Sequence, residues 1–227
     1  SRVMDYVNRL EQFDGPTVAK IALGDPYNLY EEAFAIYKKC EMNTEAMDVL
    51  INNIGDIERA SEFATRIGDN TVWARLGQAQ LGSGGAALTA AIESYLKAED
   101  ASDYMKVIDS SKEAGQFEDL VRYLKMARKK VKDPRIDTEL VYALAKTNAL
   151  ADMEEFIVQT NTANIELVGD RLFEEKHFKA CKILFAQITN NAKLASTYVN
   201  LGEYQLAVDA AKQGNNPKVW KEVCIAC

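Results

Sequence analysis

The chain has 227 residues, 48% of them apolar and 27% charged, and its 34 acidic and 27 basic side chains leave a net charge of -7. That composition excludes an intrinsically disordered chain, and the acidic balance repels phosphate backbones, so no nucleic-acid partner is expected. No run of eighteen apolar residues occurs and no apolar signal core follows Ser1, so neither direct membrane insertion nor secretion is expected.

Thirty alanines against four prolines favour helix throughout. In chain order, Val3, Met4, Tyr6, Val7 and Leu10 open a helical apolar pattern that Asp14-Gly15-Pro16 interrupts. Gly24-Asp25-Pro26 makes the next break, and Tyr30-Glu-Glu-Ala33-Phe-Ala-Ile36-Tyr37 the next stripe. A matching stripe, Ile57-Glu-Arg-Ala60-Ser-Glu-Phe63-Ala64, follows Gly55-Asp56, and further ones begin at Leu88, Phe117, Leu150, Phe178 and Tyr204. Gly82 to Gly85, Gly115, Asp133-Pro134, Gly202 and Gly214 to Pro217 fall between them. The gaps between the seven starts run from 26 to 33 residues and average 29, which fits two three-turn helices and two short turns.

No segment alternates apolar and polar residues as a half-buried strand does. The pattern predicts an all-α fold of about fifteen helices: an α-solenoid, a zigzag of stacked antiparallel helix pairs. Residues 1–227 read as a single solenoid segment. Because the chain opens inside one apolar pattern and stops inside another, at Val219, Trp220, Val223, Ile225 and Ala226, it reads as a slice of a longer repeat protein.

Each repeat owns an apolar stripe that only stacking buries. Three residues into the stripe, a small side chain recurs at Ala33, Ala60, Ala91 and Ala207, where helices are expected to approach closely. Leu120, Met153 and Cys181 fill that position in the other three repeats. These seven are the expected packing positions, and Ala149 is expected to be exposed.

Residues that could carry chemistry are few. Cys40, Cys181, Cys224 and Cys227 read as reduced thiols of a cytosolic protein. Cys224 and Cys227 form a CxxC with no second ligand pair for zinc. The single histidine, His177, precedes a helical pattern and reads as a loop or cap residue. Gly82-Ser-Gly84-Gly85 lacks the phosphate-loop spacing and reads as a turn. The basic run Arg128-Lys129-Lys130-Val131-Lys132, with Arg135 beyond it, reads as solvated charge opposing a helix macrodipole. Trp73-Ala-Arg-Leu76-Gly77 matches the opening of a tetratricopeptide repeat, but Gln80 stands in place of its tyrosine and the period differs. No catalytic, cofactor-binding or metal-binding residue is expected, and no enzyme activity.

Several longer strings share a further likeness. Ala127-Arg-Lys-Lys130 followed by Thr138-Glu-Leu-Val-Tyr-Ala-Leu-Ala-Lys-Thr-Asn148, then Leu201-Gly-Glu-Tyr-Gln-Leu-Ala-Val-Asp209 and Val219-Trp-Lys-Glu-Val-Cys224, resemble the leg of the clathrin heavy chain family. Glu31-Glu-Ala-Phe-Ala-Ile-Tyr37 and Val168-Gly-Asp-Arg171 extend the resemblance in the right order over essentially the whole chain, while Gly82 to Leu88 departs from the usual pattern.

The resemblance implies a distal leg running into the knee, an extended rod that interweaves with other clathrin heavy chain legs in the lattice of coated pits and vesicles. It further implies a parent homotrimer joined at a hub outside these residues, clathrin light chain binding mainly beyond Cys227, and a place on the cytoplasmic face of the coat. A helical-repeat subunit of a vacuolar-type tethering or sorting complex is the alternative, and a helical-repeat enzyme a more distant one.

Overall fold

The computed structural model describes residues 14–226 together with Asp5 and Arg9. The predicted opening pattern at Val3, Met4, Tyr6, Val7 and Leu10, and Cys227, lie outside the described residues. Among the described residues the backbone forms fifteen α-helices and no strand, and their consecutive pairing makes the chain an α-solenoid. It divides into two compact units, Ser1–Ser110 and Ser111–Cys227.

The first unit contains α1 (Gly15–Leu23), α2 (Tyr30–Lys39), α3 (Asn43–Val49), α4 (Ile57–Ile67), α5 (Asn70–Gly82), α6 (Leu88–Ala98) and the start of α7 (Tyr104–Ala114). A π-helical turn, Leu50–Ile54, extends α3, and a 3-10 turn, Gly85–Ala87, leads into α6. Helix α1 packs on α2, α2 on α3 and α5 on α6, while α3 also packs on α5, two helices along. That second kind of contact turns a row of hairpins into a two-layered stack. Ile36, Met47, Leu50, Leu76, Leu88, Ile92 and Tyr95 fill the space between the layers.

The second unit holds α8 (Phe117–Lys130), α9 (Pro134–Lys146), α10 (Leu150–Val158), α11 (Ile165–Glu174), α12 (Phe178–Gln187), α13 (Asn191–Leu201), α14 (Tyr204–Gly214) and α15 (Pro217–Ala226). Its odd-numbered helices meet as α9 on α11 and α13 on α15, and its even-numbered ones as α10 on α12. Leu120, Tyr123, Leu124, Ile136 and Phe185 are its largest fully buried side chains.

The seven predicted stripe starts, Tyr30, Ile57, Leu88, Phe117, Leu150, Phe178 and Tyr204, are the first residues of α2, α4, α6, α8, α10, α12 and α14. A recurring two-residue turn sets this register. At the end of one helix a residue takes left-handed backbone, as at Glu41, Gly115, Asn148, Lys176, Thr189 and Gly202. The next residue then donates its N–H to the carbonyl five positions back: Met42 to Tyr37, Gln116 to Ser111, Ala149 to Leu144, His177 to Leu172, Asn190 to Phe185 and Glu203 to Tyr198, all at 2.8–2.9 Å. This is the Schellman bond, and it satisfies an orphan carbonyl while reversing the chain. Ala149 takes part in such a turn and is half-buried, which corrects the expectation that it is exposed.

Candidate functional site

The seven stripe residues come first. Ala33, Ala60, Ala91, Leu120, Met153, Cys181 and Ala207 are each fully buried, one turn into an even-numbered helix. Two further small residues, unmarked in the stripe pattern, receive aromatic rings from the following helix. A Cβ at Gly77 of α5 would stand 3.3 Å from the Tyr95 ring of α6, and one at Gly169 of α11 would stand 2.5 Å from Cε1 of Phe185 on α12. Both glycines lie where the ring needs the volume of a missing side chain. Spacing could not single them out, because glycine inside a helix pattern ordinarily signals only a weak helix. The Cys181 thiol donates to the Gly169 carbonyl at 3.5 Å, and burial raises its pKa to about 12, so this sulfur is a packing group rather than a nucleophile.

Polar contacts tie helices of successive repeats together in the second unit. Glu139 of α9 accepts from Arg171 of α11 at 2.9 Å and from Lys112 of α7 at 3.5 Å. The Arg171 guanidinium lies 3.8 Å from the centroid of the Tyr142 ring. Tyr142 donates its hydroxyl to Glu175 at 2.8 Å, and Lys146 donates to the other oxygen of the same carboxylate at 2.7 Å. Burial, with Glu175 beside it, raises the Tyr142 phenol to about 12. Burial pushes the Glu175 carboxyl up, but the hydrogen bonds from Lys146 and Tyr142 outweigh it and hold the group below its ordinary value.

His177 occupies the N-cap position of α12, with Nε2 3.2 Å from the Lys146 ammonium. The cavity of about 270 Å³ that it lines is bounded by Asn148, Lys176, Phe178, Lys179 and four alkyl side chains, with no serine or cysteine in the lining.

The basic run does more than solvate a helix end. Arg128 is half-buried and donates to Asp137 at 2.8 Å, and its guanidinium lies 4.7 Å from the Phe156 centroid. The other oxygen of Asp137 accepts the Thr162 amide at 2.9 Å and hydroxyl at 3.1 Å. Burial raises the Asp137 carboxyl, and the bonds from Arg128 and Thr162 bring it below its usual range. Arg128 thus clamps the α8–α9 hairpin to the α10–α11 connection, whereas Lys129, Lys130 and Lys132 are exposed. The pairing spans 25 residues between Asp137 and Thr162, and no local motif announces it.

Cys224 is exposed on α15 and Cys40 half-buried at the end of α2. Among the described residues no group of three His, Cys, Asp or Glu side chains could hold a metal ion, and no helix is long and apolar enough to cross a membrane.

Buried stripes, tight two-residue turns and inter-repeat ion pairs define a helical-repeat protein. The chain matches the family described as "Region in Clathrin and VPS" over residues 1–84 and 95–227, and it belongs to that family. The break at 85–94 spans the 3-10 turn and the first turns of α6. Over all 227 residues the chain is 50% identical to clathrin heavy chain 1 of Arabidopsis thaliana, 48% to the clathrin heavy chain of Drosophila melanogaster and 45% to clathrin heavy chain 2 of Homo sapiens. It spans 13%, 13% and 14% of those proteins' lengths.

Proposed function

We propose that the chain is a leg segment of a clathrin heavy chain: a non-enzymatic part of a coat protein that interweaves with other legs in the polyhedral lattice of coated pits and vesicles, on their cytoplasmic face. The observation that carries this reading is identity of 45–50% along the whole chain to proteins named clathrin heavy chains in plant, fly and human. The family also includes VPS proteins. The half-identical clathrin relatives favour the coat reading over the vacuolar tethering alternative.

In this reading residues 1–227 act as one uninterrupted run of repeats. The segment supplies length and many weak lateral contacts, whose sum over a lattice gives avidity. The parent chain assembles as a trimer through a hub outside this segment, and light chain binds mainly beyond Cys227. The test is a chimera in which this chain replaces the matching segment of the Drosophila clathrin heavy chain, with a deletion of that segment as control. Electron microscopy should show closed cages from the chimera and none of normal size from the deletion, with both proteins trimeric by sedimentation. A trimeric, folded chimera that forms no cages would overturn the proposal.

A further inference from the structure

In the second unit a groove of about 440 Å³ opens among α11, the α12–α13 turn, α13 and α15. Phe173, Ala192 and Val219 give it apolar walls, with the buried Phe185 ring beneath them. The charged groups on its rim are Asp170, Lys193 and Glu222. Lys193 is already committed: its ammonium meets both oxygens of Asp170 at 2.7 and 2.8 Å and Glu166 at 2.9 Å. Two carboxylates thus share one cation. Glu222, which accepts the Ser196 hydroxyl at 3.1 Å, is exposed and forms no ion pair among the described residues. Lys218 and Lys221 of α15 do not line the groove. Apolar walls beneath an acidic rim favour an apolar anchor next to a positive charge and repel phosphate or carboxylate groups.

We propose that this groove docks a short peptide segment of a partner protein in which a branched or aromatic apolar side chain is flanked by lysine or arginine. The apolar side chain enters between Phe173 and Val219, and its basic neighbour takes the open valence of Glu222. The proposal goes beyond the coat reading and does not depend on it. It is tested on the nitrogen-15-labelled chain at about 150 mM salt, where weak surface attraction is screened. Two tetrapeptides, acetyl-Arg-Leu-Phe-Arg-amide and acetyl-Glu-Leu-Phe-Glu-amide, are each raised to about 1 mM, a concentration that reveals weak docking. The basic peptide should shift the amide resonances of Phe173, Ser196, Val219 and Glu222, and the acidic one should leave them in place. Glu222→Lys, at an exposed rim position, should abolish the shifts with an unchanged circular dichroism spectrum, and Val219→Ala should weaken them. No shifts at about 1 mM, equal responses to both peptides, or shifts mapping to another surface would each overturn the proposal.

Discussion

The two units share one repeat but differ in charge and in how their helices begin. Residues 1–110 carry 10 basic and 18 acidic side chains, a net charge of -8, whereas residues 111–227 carry 17 and 16, a net charge of +1. In the first unit the side-chain caps are aspartates: Asp14 on α1, Asp56 on α4 and Asp69 on α5. In the second, Asp133 caps α9, but Asn164, Asn190 and Asn216 then accept from the first turns of α11, α13 and α15. Either residue satisfies the orphan N–H groups, and only aspartate adds a charge that favours the helix N-terminus and titrates. One repeat geometry therefore tolerates opposite electrostatic designs, because its register comes from buried stripes and from backbone hydrogen bonds in the turns, whatever side chain stands there.

The contrast can be broken at several points. The largest effect is expected at Phe185, which is 1% exposed: Phe185→Ala should cost about 3–5 kcal/mol in urea unfolding, through lost burial and the void beside Gly169. Next comes Arg128→Ala, which leaves the 6%-exposed Asp137 with Thr162 alone and should cost about 1–3 kcal/mol. A cost within error would show that the clamp between repeats is idle. In the first unit, Tyr95→Phe keeps the ring on Gly77 and removes only the hydroxyl bonded to Asp103 at 2.8 Å, so about 0.5–1.5 kcal/mol should be lost.

The smallest effect is one of pH. Hydrogen bonds from the Thr17 hydroxyl and amide hold the Asp14 carboxyl below its ordinary value. A depressed folded value means that this cap stabilises above the unfolded pKa of about 3.9 and loses that contribution as pH falls through the folded value. Melting curves of the wild-type chain and Asp14→Asn should therefore differ more at neutral pH than in acid. A gap that widens in acid would reverse the assignment.

Much of this architecture can be read from the residues. All seven stripe starts coincide with helix starts, because buried stripes repeat at a fixed helical spacing and glycine or asparagine marks several turns. Other turns escape such reading, since Glu41, Glu99, Lys176 and Thr189 adopt left-handed backbone with side chains that do not signal it. A local backbone bond holds them there, as the Asn190 amide does beside Thr189 by donating to the Phe185 carbonyl at 2.9 Å. The π-helical turn at Leu50–Ile54 also has no local signature. Arg128 was legible as charge and illegible as a clamp, because Asp137 reaches it across the α8–α9 turn and meets Thr162 only after the next hairpin has packed. Ala149 misleads for a similar reason: alanine in a turn looks solvated until its N–H reaches Leu144.

A glycine–aromatic contact closes one helix pair in each unit, α5–α6 at Gly77 and Tyr95 and, more tightly, α11–α12 at Gly169 and Phe185. Paired urea unfolding of Gly77→Ala and Gly169→Ala tests it most directly. At Gly77 the added methyl meets the Tyr95 ring at 3.3 Å, and the helix-propensity gain of alanine, about 1 kcal/mol, should offset most of the crowding. At Gly169 the methyl would stand 2.5 Å from a buried ring edge, so a net loss of about 1–3 kcal/mol is expected despite the same gain. Equal changes at the two sites, or a stabilised Gly169→Ala, would contradict the helix register on which the account rests.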